Sequence, residues 1–109
     1  MDTAIQSTNF GASTSPQYIP SNITTTGVRL LGIVLDQELS NTTANSIVFA
    51  DNKSGTIFFR FKRTPTNSYS PSNLVKIMLP SNGIRFSGGI RVSWSASTDF
   101  DSLTVLYQV

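Results

Sequence analysis

The sequence predicts an all-β protein: a single β-sandwich, jelly-roll-like, with an extended N-terminal arm. From Thr26 onward, apolar and polar residues alternate with a period of two, and the apolar positions are rich in β-branched and aromatic side chains. About seven such segments are separated by turns rich in Gly, Pro, Asn and Ser, which is typical of sandwiches and small barrels. The chain has 109 residues, enough for one domain. We therefore divide it into an arm, 1–27, and a sandwich domain, 28–109.

The strands are predicted in chain order from this alternation. The predicted strands are 28–36, 46–51, 56–63, 74–80, 84–86, 90–94 and 102–109. Segment 28–36 is almost wholly apolar, as expected of a central strand, and Gly32 marks a bulge or a close approach within it. In segment 56–63 the alternation separates two faces. One face carries Ile57, Phe59 and Phe61, and the other carries Phe58, Arg60 and Lys62.

The arm lacks both helical and strand periodicity up to Asn22 and is rich in small polar residues. Such a segment cannot bury enough apolar surface to fold alone. Single apolar anchors are nevertheless spaced through it: Phe10, Tyr18, Ile19 and Ile23. Two interpretations follow. The arm is either a disordered tail or an extended segment that becomes ordered on a partner, with these anchors buried against it.

Two near-copies of one phrase, 83–86 and 89–92, are joined by a Ser-Gly-Gly turn. We predict a β-hairpin with a three-residue loop, 87–89, because this pairing puts all apolar residues on one face. Arg85 then faces Arg91 on the outer side, although like charges in this position are mildly destabilising. The apolar residues of the hairpin point inward: Ile84, Phe86, Ile90, Val92 and Trp94.

Three interpretations of the two arginines remain open. Their long side chains could extend into water while the stems cover apolar surface. They could pair within the chain with Asp99 or Asp101. They could instead bind an acidic surface of another chain, for which the fork of guanidinium donors is suited.

The composition argues against catalysis. The chain has no cysteine and no histidine, which excludes thiolate nucleophiles, Cys/His zinc sites and imidazole acid–base chemistry. The close carboxylate pair Asp99 and Asp101 lacks the further oxygen ligands of a calcium site and the cleft of a glycosidase. We expect no enzyme activity, no metal and no cofactor.

Aromatic residues leave one alternative, sugar binding. Trp94 and Tyr107 are in phase with the core positions of their strands, which leaves Tyr69, in the proline-rich loop 64–73, as an exposed aromatic. A receptor-binding or glycan-binding module would use that loop.

Charge and hydropathy argue against a nucleic-acid partner and against a membrane-spanning segment. Only 13% of the residues are charged, the net charge is +2, and no basic run is present, so no nucleic-acid partner is expected. The N-terminal residues show no secretory signal, and the longest apolar run, 30–35, is too short to cross a membrane.

The C-terminal half resembles small virion proteins of tailed bacteriophages. The resemblance rests on Leu79-Pro80, on the phrase 82–92 and on the terminal Thr104-Val105-Leu106-Tyr107. The motifs Gly32-Ile33-Val34 and Gly55-Thr56-Ile57 extend the resemblance over 28–109.

This resemblance implies a structural part of a phage head, a capsid decoration (cement) protein that binds major capsid protein subunits and stabilises the shell. It carries no catalytic residues. A position on a capsid threefold axis would make a homotrimer natural. The anchors of the arm, with Arg85 and Arg91, are the predicted partner-binding residues. The alternative is a tail or fibre module that binds a host receptor or a glycan.

Overall fold

The computed structural model describes residues 5–13, 15–19, 27–36, 46–62, 74–95 and 100–109. Within these ranges the regular structure consists entirely of β-strands. They are β1 (Gln6–Phe10), β2 (Gln17–Ile19), β3 (Val28–Asp36), β4 (Ser46–Asp51), β5 (Ile57–Lys62), β6 (Leu74–Met78), β7 (Ile84–Phe86), β8 (Ile90–Ser93) and β9 (Ser102–Gln108). The predicted strands in 28–109 are all present, and most of their ends agree within two residues.

The strands form two antiparallel sheets. Sheet A has the order β1-β9-β3-β6, with β7 also paired to β3, and sheet B has the order β2-β8-β4-β5. The pairs are nested in sequence: β1 with β9, β2 with β8, β3 with β6 and β7, and β4 with β5. Strands from the two halves of the chain thus pair antiparallel in nested order, and the pairs are divided between two packed sheets. This is the jelly-roll arrangement. The predicted sandwich is confirmed.

The core lies between the two sheets and is formed by alternate residues of the long strands. Phe49, Phe86 and Phe100 are its largest fully buried side chains. The aromatic ring of Phe100 packs against Trp94 at a centroid distance of 4.8 Å. Trp94 also donates a hydrogen bond from Nε1 to the carbonyl oxygen of Ala12, at 2.9 Å. Trp94 and Tyr107 are buried, as their strand phases predict.

The central strand β3 contains the predicted irregularity at Gly32. Its pairing with β9 shifts between Leu30 and Gly32, so that Leu31 is the extra residue of a bulge. The inward-facing residues therefore change from Val28 and Leu30 before the bulge to Ile33 and Leu35 after it.

We expect the substitution Gly32→Ala to lower the free energy of unfolding by about 1–3 kcal/mol, the usual cost of overpacking. A Cβ atom at this position would lie 2.7 Å from the carbonyl oxygen of Ile77 and 2.7 Å from Sδ of Met78. The thioether is flexible, but the carbonyl belongs to the neighbouring strand and cannot move independently. Urea unfolding measures the change. Gly11→Ala is the control, because no atom lies within 4 Å of its Cβ position, and equal losses in the two variants would contradict the close approach.

The structure corrects the arm interpretation for the residues it describes. β1 pairs with β9 at one edge of sheet A, and β2 pairs with β8 at one edge of sheet B. Ile19 is only 1% exposed and Ala12 is 6% exposed, so this segment contributes to the core of the sandwich. The alternation was missed because both strands are short and β1 consists mostly of polar residues at a sheet edge. The described part of 1–27 thus belongs to the sandwich.

The predicted hairpin over 84–92 is wrong. β7 pairs with β3 in sheet A, whereas β8 pairs with β2 and β4 in sheet B. The turn 87–89 therefore crosses from one sheet to the other, with the amide of Gly89 donating to the carbonyl oxygen of Phe86 at 3.3 Å. Arg85 lies opposite Arg29, not Arg91. The alternation of apolar residues could not distinguish these arrangements, because both turn the same side chains inward.

The two faces predicted for β5 are confirmed in part. Phe59 and Phe61 pack against the core, and Arg60 and Lys62 are exposed. The pairing with β4 shifts between Phe49 and Ala50, and this bulge removes Ile57 and Phe58 from the simple alternation. Ile57 is 48% exposed, and the ring of Phe58 meets the buried ring of Phe86 edge-on at 5.4 Å.

Candidate functional site

The residues predicted to bind a partner are distributed over the whole sandwich. Phe10 is half-buried opposite Leu103 in sheet A and packs against the core. Ile19 is buried opposite Ile90 in sheet B. Tyr18 is half-buried next to it and lies opposite Arg91. Ile23 lies outside the described residues.

Arg85 and Arg91 lie on opposite outer surfaces of the sandwich. Both are exposed, as predicted, but Arg85 belongs to β7 of sheet A and Arg91 to β8 of sheet B. The neighbours of Arg91 across the strands are Tyr18 and Ala50. A single acidic surface therefore cannot receive both arginines in the predicted side-by-side manner.

A group of cations covers the outer side of sheet B, which we call the basic face: Arg60, Lys62 and Arg91. All three side chains are exposed, and they flank the central strand β4 of the sheet from both sides. Arg60 lies opposite Val48, and Val48 lies opposite Ser93. The basic face thus contains neutral and apolar side chains, Ser93 and Val48, between its positive charges.

The described carboxylates lie away from the basic face. Asp36 ends β3 in sheet A, and the amide of Asp101 donates to its carbonyl oxygen at 2.7 Å, which places Asp101 next to that sheet. Asp51 is buried. Within the described part of the chain, the charge of the basic face is therefore not compensated by a carboxylate on the same surface.

Asp51 is a buried carboxylate that joins two turns. One oxygen accepts the amides of Lys53 at 2.8 Å and Ser54 at 3.4 Å, and the other accepts the hydroxyl of Ser87 at 3.0 Å. Burial by itself raises the pKa of Asp51. The hydrogen bonds from Lys53, Ser87, Ser54 and the Gly88 amide outweigh it and hold the pKa below the usual value of 3.8. Asp51 therefore fixes the turn after β4 to the crossover between β7 and β8.

The carboxylate pair Asp99 and Asp101 is described only in part, because Asp99 lies outside the described residues. Asp101 is exposed and precedes β9 at the end of sheet A opposite to Arg85, because Arg29, the partner of Arg85, pairs with Gln108. Asp101 therefore does not neutralise Arg85. Tyr69, on which sugar binding was predicted, also lies outside the described residues.

Within the described ranges, no group of three or more acidic, histidine or cysteine side chains could hold a metal ion. The same ranges contain no helix long and apolar enough to span a membrane.

Sequence reasoning did not single out two features of these surfaces. The sequence predicts correctly that Arg60 and Lys62 share one face of β5, but it predicts that β8 pairs with β7, whereas β8 pairs with β4, so the basic face was not recognised as one surface. Asp51 stands at the start of a turn cluster, 51–55, where an aspartate is common for local reasons. Its burial comes from the distant Ser87 and Gly88, and no local pattern indicates that contact.

The chain was compared with protein-family models, curated proteins and solved structures. None of them matches it.

Proposed function

We propose that this protein is a non-catalytic structural protein of a phage particle, a capsid decoration protein that binds the major capsid protein and stabilises the head shell. The observation that carries the proposal is the basic face formed by Arg60, Lys62 and Arg91. The setting comes from the sequence resemblance over 28–109.

The architecture supports a role in assembly. Jelly rolls are used by viral capsid and lectin domains, although a fold by itself does not define a function. The sandwich closes its core with side chains from both sheets and leaves two broad outer faces. Broad β-sheet faces are suited to docking on another protein surface.

The charge of the basic face selects the partner chemistry. Exposed cations without a neighbouring described carboxylate favour an acidic surface, and complementary charge contributes to the association rate and to specificity. Arg91 was predicted to bind a partner, and we propose that it does so as part of the basic face on sheet B. Arg85 lies on the other side and is not part of this surface.

We expect Arg91→Gln and Arg60→Gln each to weaken binding to undecorated heads about 1.4- to fivefold near physiological salt, because an exposed ion pair contributes ~0.2–1 kcal/mol. The effect should decrease at high salt, where the charges are screened. Co-sedimentation of the protein with heads measures the bound fraction.

Lys76→Gln is the matched control, because it removes one positive charge from sheet A and leaves the basic face intact. It should change binding by less than either arginine substitution. Equal losses in all three variants would show that only net charge matters and would contradict docking through the basic face.

The number of copies of the protein per particle distinguishes a decoration protein from a tail or fibre module. A decoration protein should be present in purified particles at a copy number comparable with that of the shell protein, as measured by quantitative mass spectrometry. A few copies per particle would contradict the decoration role.

A further inference from the structure

Strand β5 lies at an edge of sheet B, because it pairs with β4 and with no other described strand. Its pairing is regular over 59–62, and the side chains alternate there. Phe59 and Phe61 point inward and pack against the core. Arg60 and Lys62 point outward and belong to the basic face. The backbone N–H and C=O groups of alternate residues point away from β4, and such an edge is a template for a further strand.

The apolar side chains at this edge are only partly covered. Phe59 and Phe61 are half-buried, although the ring of Phe59 packs against the buried ring of Phe49 at a centroid distance of 5.5 Å. At the start of the strand, Ile57 is 48% exposed and Phe58 is 45% exposed. A strand added at this edge would therefore bury apolar surface of β5 in addition to forming backbone hydrogen bonds.

The outward cations restrict which strand fits this edge. Arg60 lies opposite Val48 and Lys62 lies opposite Ser46, so β4 places no carboxylate opposite either cation. Opposite charges on neighbouring strands are stabilising, whereas like charges are destabilising. A second copy of β5 would bring its own two cations to the same side of the sheet, and charged edges commonly block pairing between copies in this way. None of the described strands alternates acidic and apolar residues, so the fitting strand comes from another protein.

We propose that β5 binds an extended segment of the partner protein by strand addition, and that this segment alternates acidic and apolar residues. The acidic side chains of the segment lie beside Arg60 and Lys62 on the basic face. Its apolar side chains lie beside Phe59 and Phe61 at the margin of the core. Main-chain hydrogen bonds contribute affinity, and the alternation of side chains contributes specificity. This inference rests on the proposed function, since it names the form in which the partner meets the basic face.

The experiment is an NMR titration of the full ¹⁵N-labelled chain near pH 7 with a capped synthetic peptide of alternating glutamate and valine, about six residues long. We expect saturable shifts at the amides of 57–62. Hydrogen exchange of alternate amides in this range should slow, because their N–H groups gain acceptors. A peptide of the same composition, with its glutamates and valines in two blocks, should bind roughly tenfold more weakly, because the cross-strand pairs are lost. Shifts at 74–78 in place of 57–62 would overturn the assignment to β5.

Two N-methylated peptides test whether the peptide backbone pairs with β5. In a strand, the N–H and C=O groups of successive residues point to opposite edges, so all glutamates present theirs to one side and all valines to the other. Methylation of one set should weaken binding about tenfold, because several hydrogen bonds are lost, and methylation of the other set should change it less than about twofold. Equal effects of the two peptides would mean that the ligand contacts the basic face through side chains alone, and would overturn strand addition.

Substitutions test the contribution of the two cations. The double variant Arg60→Gln, Lys62→Gln should weaken peptide binding about two- to twentyfold, because two exposed ion pairs are lost. Lys76→Gln is the matched control, since Lys76 is an exposed cation on β6, at an edge of sheet A. It should leave peptide binding nearly unchanged. Cooperative unfolding confirms that each variant is folded, and undiminished binding to the double variant would overturn the site.

Peptide binding and head binding are measured separately, so that each can fail alone. Heads that bind the protein while the alternating peptide does not would overturn strand addition and leave docking through the basic face. A peptide that binds to a protein without affinity for heads would support strand addition and overturn the capsid decoration role.

Discussion

Replacing Ile19 by alanine should lower the free energy of unfolding by about 2–5 kcal/mol, the range for truncating a buried aliphatic side chain. Ile19 is 1% exposed and lies opposite Ile90, which is fully buried, at the edge of sheet B. Truncation would leave a cavity between β2 and the core that these short strands cannot readily close. Urea unfolding followed by tryptophan fluorescence measures the change, because Trp94 lies in the same core.

Ile5→Ala provides the matched control within the same N-terminal segment. Ile5 is 65% exposed, and its truncation should change stability by no more than about 0.5 kcal/mol. Similar small losses in both variants would mean that Ile19 is not a core residue of the isolated protein, and the arm interpretation would be restored.

This comparison also bears on how the protein could bind a shell. An anchor that is buried in its own core is not available to a partner unless β2 leaves sheet B. Binding through Ile19 would then cost the free energy that its burial contributes. Docking through the exposed basic face requires no such rearrangement.

Asp51→Asn should lower the free energy of unfolding by about 1.5–3 kcal/mol at neutral pH, the usual contribution of hydrogen bonds to a charged group. The carboxylate accepts hydrogen bonds from both turns, and an amide in its place presents an N–H group to donors. Urea unfolding of the two proteins at pH 7 measures the loss.

The pH dependence of the unfolding free energy of wild type and Asp51→Asn tests whether the charged carboxylate causes this loss. The pKa of Asp51 is lowered in the folded protein, so the unfolded chain binds the proton more readily, and stability rises with pH in this range. The contribution should be fully present above the usual value of 3.8 and should be lost as the pH falls through the lower folded pKa. The stability difference between wild type and Asp51→Asn should therefore shrink in strong acid.

Asp36→Asn is the control for this titration, since Asp36 is exposed at the end of β3. It should keep the acid dependence that Asp51→Asn loses. Parallel pH profiles of wild type and Asp51→Asn would contradict the role of the carboxylate as the link between the turns.

Much of the sandwich could be predicted because strand formation depends on a local pattern. The limits of β4 and the inward positions of β7, β8 and β9 follow from period-two alternation. Gly32 was recognisable as a bulge or a close approach because glycine is unusual inside an apolar strand. Burial of Trp94 and Tyr107 followed from the same phase.

Strand pairing could not be predicted in the same way. The phrase 83–92 has the composition of a hairpin, and its inward residues would be the same in a hairpin or in a crossover. Whether the segments form a hairpin or a crossover depends on β3 and β4, because β7 pairs with β3 and β8 pairs with β4. β1 and β2 were missed because an edge strand needs few apolar residues.

The candidate sites depend on these pairings. Arg85 and Arg91 were recognisable as exposed cations, but their partners were not. β7 brings Arg85 opposite Arg29, and β8 brings Arg91 into the same sheet as Arg60. Both arrangements join residues that are more than 30 positions apart in the chain.

The sequence by itself determined the inward and outward positions within β4, β7, β8 and β9, because side-chain direction in a strand alternates with position. Only the tertiary structure decided which exposed cations share a surface and which acid is buried. Hydrogen bonding between strands is made by the backbone and is nearly indifferent to side-chain identity, so local patterns do not encode it. The competition among all strands for partners settles it, and that competition placed Arg85 and Arg91 on opposite sides of the sandwich.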